Sequence, residues 1–246
     1  MKKVCMYYFT GSGNTLKVAK QMKSTFIDKG YECKLVNIAE KSNIEKESYD
    51  YIGLLFPVAI QSTFPLVWKF IYELPNVSNQ KIFMVDTLQS FSGGIVGPLK
   101  KILIEKGYIT VGAIEIKMSS SMERKSKKVQ AGREKNIEAL KTAASFVNDL
   151  IEEKTKWSRI PVISDAMRAI SKKRYVWTKI SKNISVVHDE CILCGKCIRN
   201  CPVQAISDIK GKITINNEVC ESCMKCVNNC PKNAFLIGDK KVYQNI

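Results

Sequence analysis

Eight of the ten cysteines lie in two stretches, CILCGKCIRNCP from Cys191 and CESCMKCVNNCP from Cys220, so the spacing C-x2-C-x2-C-x3-C-P occurs twice, 29 residues apart. Three thiols two residues apart can wrap one face of a polynuclear metal core. The proline after the fourth cysteine turns that thiol away from the other three. A structural zinc site wants four ligands in two pairs, not two runs of four closed by Cys-Pro. Cysteines so crowded in sequence also do not suit a disulfide framework, and the implied compartment is reducing. The chemistry to expect is one-electron transfer through iron–sulfur cubanes. Cys5 and Cys33 fall on apolar runs and are expected as inert interior fillers. The single histidine, His188, excludes a Ser-His-Asp or histidine–zinc mechanism and is expected at the surface.

A second stretch, YYFTGSGNT at residues 7–15, joins an apolar run to an amphipathic one. Such a strand-to-helix loop holds phosphate with backbone N–H groups and the helix dipole. A P-loop would need Gly-Lys-Ser/Thr at its end, and no such lysine is present; a dinucleotide loop would need a third glycine where Leu16 stands. What remains is a hydroxyl-rich loop, Thr10-Gly11-Ser12-Gly13-Asn14-Thr15, suited to a terminal phosphate monoester.

The elements that must position these residues alternate. Runs rich in Val, Ile, Tyr and Phe predict strands over 3–9, 31–38, 51–56, 81–86 and 108–117. Leu16, Ala19, Met22 and Phe26 predict a helix over 15–29 that stops at Gly30. Pro65 and Pro98 are expected to open helices over 65–74 and 98–106, and a longer helix is expected over about 132–154. Five strands with intervening helices imply an α/β fold with a parallel sheet covered on both faces. No apolar run approaches the length of a membrane span, and MKKVCMYYFT reads as a first strand rather than a secretory signal, so a cytoplasmic location is expected.

The loop resembles the flavodoxin signature, including Thr15-x3-Ala19 leading into the first helix. That resemblance implies a doubly wound five-stranded sheet of order 2-1-3-4-5, with FMN at the carboxyl ends of the strands. By the same resemblance Thr10, Gly11, Ser12, Gly13, Asn14 and Thr15 hold the phosphate, while Pro57, Val58, Ala59 and Ile60, with Thr87, Leu88, Gln89 and Ser90, contact the ring. No Trp or Tyr stands in either ring loop, and Phe91 is the aromatic of the second.

The cysteine repeats resemble bacterial-type two-cluster ferredoxins over about 55 residues, a likeness that extends to CPVQAI and CPKNAF at Cys201 and Cys230. In that arrangement the fourth cysteine serves the other cluster. The resemblance therefore implies one 4Fe–4S cluster on Cys191, Cys194, Cys197 and Cys230, and a second on Cys220, Cys223, Cys226 and Cys201.

Flavodoxin domain first and ferredoxin domain last is the order of the flavodoxin-domain ferredoxins of anaerobic bacteria (EFR-type), which this chain resembles nearly end to end. One departure is Met118-Ser119-Ser120-Ser121, where that family has Met-Pro-Asn. The expected organisation is a flavodoxin-like FMN-binding domain over 1–154, a basic, partly helical connector over 155–185 and a two-cluster domain over 186–246. A flavin handles electrons in pairs and a cubane singly, so the combination splits or merges electron pairs. An electron carrier is the leading expectation. The alternative is a flavin-dependent reductase of a quinone or nitro compound, fed by its own clusters. A binding module without redox chemistry does not fit eight ligands, and no nucleotide fingerprint supports direct NAD(P)H oxidation.

The formal charge of +16 would fall to about +10 with two clusters and a phosphate dianion bound. Seven basic residues over 117–135 (Lys117, Arg124, Lys125, Lys127, Lys128, Arg133 and Lys135) face only Glu123 and Glu134. They read either as a solvated face that maintains solubility or as a docking surface for an acidic redox partner such as a ferredoxin. Nucleic acid is not expected, since no helix-turn-helix or aromatic RNA platform accompanies the charge.

Overall fold

The computed structural model describes residues 1–40, 48–89, 94–119, 126–158, 169 and 172–241, with the backbone alone for 126–131. Among these, β1 (Lys3–Tyr8), β2 (Glu32–Asn37), β3 (Tyr51–Pro57), β4 (Gln80–Leu88) and β5 (Tyr108–Lys117) form a parallel sheet of order β2-β1-β3-β4-β5. This is the doubly wound flavodoxin-like order expected from the loop. Its helices are α1 (Asn14–Asp28), α2 (Pro65–Glu73), α3 (Val96–Glu105) and α4 (Ser126–Ile151).

Alternation along the strands sends side chains to both faces. Val4 and Met6 of β1, Leu55 of β3 and Phe83 and Val85 of β4 pack with Met22 and Phe26 of α1 and Phe146 and Val147 of α4. Tyr7, on the opposite face, meets Phe70 of α2 with ring centroids 5.1 Å apart. Gly53 is needed for the first layer, because a Cβ there would lie 2.5 Å from the Phe83 ring. Gly107, at φ +84°, follows α3 where a Cβ would lie 1.9 Å from the Val77 carbonyl oxygen. Only glycine fits there.

Two boundaries depart from the sequence reading. α3 begins at Val96, not Pro98, and the proline is its third residue. The first four N–H groups of a helix have no intrahelical partner, so proline costs no bond anywhere in that turn. α4 begins six residues before the expected start, at Ser126. After it, the chain is pinned along β5 and to the start of α3: the Ala113 N–H donates to the Lys156 carbonyl and Thr155 Oγ1 to the Val111 carbonyl, while Trp157 Nε1 donates to the Val96 carbonyl.

The chain divides into two compact units, 1–118 with 134–172 and 119–133 with 173–246. The second contains α5 (Arg174–Ser181), β6 (Ile184–Val186), a 3-10 turn at His188–Glu190, α6 (Lys196–Arg199), β7 (Ile206–Ile209), β8 (Lys212–Ile215), α7 (Lys225–Asn229), β9 (Phe235–Ile237) and β10 (Lys240–Lys241). The strands form two small antiparallel sheets, β10-β9-β6 and β7-β8. Among the described residues no helix is long and apolar enough to cross a membrane.

Candidate functional site

At the end of β1, Gly13 takes φ +95° and becomes the N-cap of α1. Its N–H donates to Thr10 Oγ1 at 3.0 Å, and its carbonyl accepts the Lys17 N–H. Gly11 is buried, while Thr10, Ser12 and Asn14 are half-buried. No acidic residue stands in the first turn of α1, so the positive end of the helix dipole meets no opposing side chain there. Thr10 Oγ1 accepts from Gly13 and keeps its own proton to donate.

Thr15 turns inward. It is buried, and its Oγ1 lies 2.7 Å from Thr87 Oγ1 at the end of β4. The Thr87 carbonyl in turn accepts the Val58 N–H at 2.9 Å. One residue thus ties the loop after β1 to the loop after β3. All three loops leave the carboxyl ends of β1, β3 and β4, and the strand order reverses between β1 and β3, where open α/β sheets bind ligands.

Of the expected ring residues, Pro57, Val58, Ala59 and Ile60 are half-buried, Thr87 and Leu88 are buried and Gln89 is exposed; Ser90 and Phe91 lie outside the described residues. Ala59 and Ser62 exchange both backbone hydrogen bonds across a two-residue turn in which Ile60 (φ 51°) and Gln61 (φ 57°) are both left-handed. A two-residue hairpin turn with two positive φ values normally selects Asn-Gly. At β-branched Ile60 this backbone is an outlier that the surroundings must hold. The Gln61 carbonyl accepts the Gly94 N–H at 2.7 Å, Trp68 Nε1 donates to Ser62 Oγ at 3.1 Å, and Thr63 Oγ1 donates to the Pro57 carbonyl at 2.9 Å. Ser62 and Trp68 escaped sequence reasoning, since nothing local marks the bond that Ser62 Oγ donates to the Gly94 carbonyl across 32 residues.

The basic run divides. Lys117 and Arg133 are exposed, but Lys135 Nζ donates to the Gln89 carbonyl at 3.3 Å, beside the expected ring residues. Arg124 and Lys125 lie outside the described residues. Cys5 and Cys33 are buried, and burial pushes the Cys33 thiol up to about 12, so it stays protonated at neutral pH.

In the second unit the repeat is a repeat of backbone as well as sequence. Left-handed φ recurs 29 residues apart at Leu193 and Ser222, Gly195 and Met224, and Gln204 and Asn233. Alternating handedness of this kind turns successive N–H groups into an anion-binding hollow. The Ala205 N–H donates to Cys201 Sγ at 3.2 Å, its counterpart Ala234 to Cys230 Sγ at 3.3 Å, and Ser222 to Cys220 Sγ at 3.4 Å.

Cys191, Cys194 and Cys197 line one cavity together with Cys230 from the other repeat, walled by Val186, Ile213 and Phe235. Among the described residues no three His, Cys, Asp or Glu side chains close on a single ion-sized point; these four thiols surround a hollow. Burial raises the Cys220, Cys223 and Cys226 thiols, Cys223 to about 12, and the nearness of Cys201 adds to each. Cys197 is raised by burial and then by Cys191 and Cys194. Each first-, second- and third-position group therefore has the other repeat's fourth cysteine beside it. α5, which the sequence reading left in the connector, is held here: Arg174 Nη2 donates to the Cys220 carbonyl at 2.7 Å, and Ser181 Oγ to the Asn217 carbonyl at 3.2 Å.

Residues 183–231 match the family model described as a 4Fe-4S dicluster domain. Flavodoxin 2 from Bacillus cereus is similar at 16% identity and a TM-score of 0.46, over 61% of this chain and 99% of its own. The flavodoxin of Streptococcus pneumoniae is similar at 10% identity and a TM-score of 0.45, over 61% of this chain and 99% of its own. Rubredoxin oxygen:oxidoreductase from Desulfovibrio gigas is similar at 17% identity and a TM-score of 0.43, over 61% of this chain but 37% of its own length. No curated protein sequence matches the chain.

Proposed function

We propose that this protein is an electron-transfer flavo-iron–sulfur protein of the flavodoxin-domain ferredoxin type (EFR-type), with FMN in the first unit and two 4Fe–4S clusters in the second. The observation that carries the reading is the cavity lined by Cys191, Cys194, Cys197 and Cys230, with Cys201 standing beside Cys220, Cys223 and Cys226. Four thiols around a hollow, with backbone N–H groups aimed at Cys201, Cys220 and Cys230, suit a cubane whose negative charge those N–H groups offset.

In the first unit, Thr10, Ser12 and the N-terminus of α1 would hold the FMN phosphate. Gly11, Gly13 and Asn14 would shape that loop, and Thr15 would hold it to Thr87. Pro57 to Ile60 and Thr87 to Gln89 would flank the ring. The flavin supplies paired electrons and the clusters single ones; the chain's part is to hold both and shield them from water. Thiols raised by burial must release their protons as iron binds, so cluster uptake is coupled to pH. The domains proposed are 1–154 for FMN and 186–246 for the clusters, joined over 155–185 by a segment whose α5 packs with the second unit.

Anaerobic assay of the purified protein tests the reading, with about eight iron and eight sulfide per chain expected. Heat-released flavin should co-migrate with FMN on chromatography. Recovery of FAD, or no flavin after reconstitution, would overturn the FMN site; about four iron per chain would overturn the second cluster.

A further inference from the structure

The two repeats share a backbone but not a surface. Ile192 and Leu193, between the first two cysteines of the first repeat, are 57% and 47% exposed, and Cys194 is exposed. Their counterparts 29 residues on, Glu221 and Ser222, are 7% and 8% exposed. The apolar pair lies outside and the polar pair inside, the reverse of what hydration favours. Leu193 is left-handed, as Ser222 is, so the hollow demands that backbone in both repeats; only the side chain was free to vary.

Two further differences fall on the same edge. Gly195 replaces Met224 and Arg199 replaces Asn228; a Cβ on Gly195 would lie 2.9 Å from Arg199 Nη1, so glycine lets the guanidinium cross this loop. Lys196 and Lys232 line the thiol cavity, which no Asp or Glu lines. Lys196, Arg199 and Lys232 are exposed, and among the described residues none pairs with a carboxylate. Of the nearby acids, Glu190 is bound to Lys241 and Asp189 is exposed. An apolar pair rimmed by cations beside an exposed cluster ligand has the anatomy of a transient redox interface.

We infer that the edge formed by Ile192, Leu193 and Cys194, rimmed by Lys196, Arg199 and Lys232, is the docking surface for an acidic electron-transfer protein. The inference rests on the cluster reading above and places the partner at the first repeat instead of the basic run over 117–135. The cationic rim steers an acidic partner in, and the apolar pair excludes water as one electron passes between the partner's centre and the first-repeat cluster, with no atom transferred.

The test uses the full-length holoprotein and an acidic 2Fe–2S ferredoxin as probe, with the dissociation constant and carbodiimide cross-links read separately from electron-transfer rates. Lys196→Glu/Lys232→Glu should weaken binding at low ionic strength about ten-fold and remove the cross-links. Lys127→Glu/Lys128→Glu should change it less than about two-fold. Leu193→Asn, which suits the left-handed backbone, should weaken binding equally at low and high salt, and it decides the matter if the double variant loses its iron. Binding that follows Lys127 and Lys128 instead, or that ignores all three variants, would overturn the inference while leaving the cluster reading intact. Absence of iron and sulfide from the unaltered protein would overturn both.

Discussion

Thr15 and Thr87 tie the first loop to the end of β4 through one buried hydrogen bond. The residues sit 72 apart, and their hydroxyls meet at 2.7 Å in a buried position. Thr15→Val would leave the Thr87 hydroxyl buried without its partner, a loss of about 1–3 kcal/mol. Urea unfolding of the flavin-free protein should show it, and Thr15→Val/Thr87→Val should lose less than the sum of the single changes. Half-buried Ser12 should behave oppositely. Ser12→Ala should leave stability unchanged and weaken FMN retention by about 1.5–3 kcal/mol, the worth of a hydrogen bond to a charged group. Equal effects of both residues on stability would show that the loop is only a structural turn.

The turn from Ala59 to Ser62 is the element where local preference and tertiary demand conflict. Neither Ile60 nor Gln61 favours positive φ, yet the Gln61–Gly94 and Trp68–Ser62 bonds hold both there. A left-handed residue costs about 1–2 kcal/mol, and glycine gives back about 0.5–1 kcal/mol through the unfolded chain. Gln61 is exposed, so Gln61→Gly loses no buried contact and should stabilise the protein by up to about 1 kcal/mol in thermal or urea unfolding. A loss of stability would mean that the side chain, not the backbone, sustains the turn. The same conflict explains why this turn was invisible in the sequence: Ala-Ile-Gln-Ser carries none of the usual turn residues.

Across the molecule, the two repeats exchange their fourth thiols, and the proposed clusters would be shared accordingly. Cys201 adds to the raised protonation of Cys220, Cys223 and Cys226, and Cys230 lines the cavity of Cys191, Cys194 and Cys197. Cys201→Ser should therefore disturb the same cluster as Cys223→Ser. The electron paramagnetic resonance spectra of those two variants, reduced, should show the same surviving signal, and Cys197→Ser a different one. Matching spectra for Cys201→Ser and Cys197→Ser would reverse the assignment. Arg174, bound to the Cys220 carbonyl, ties α5 to the second repeat. Its sequence neighbourhood suggested a basic, partly helical connector but not this contact, because a charge run does not say which carbonyl it will meet.

What the sequence determined is what short-range stereochemistry enforces. Cysteine spacing, the glycines and hydroxyls of the first loop and the strand–helix alternation act over a few residues. They sufficed for a parallel α/β sheet and for naming two candidate sites, while the sheet order was legible only through the resemblance to flavodoxins. Pro98 slipped because first-turn positions tolerate several residues equally. Only the tertiary structure decided that Thr15 pairs with Thr87, that Lys135 reaches the Gln89 carbonyl, and that Ile192 and Leu193 lie open while Glu221 and Ser222 are covered. Exposure and hydrogen-bond partners depend on which distant segments of chain arrive alongside. Two repeats of one spacing and one backbone can therefore present opposite surfaces.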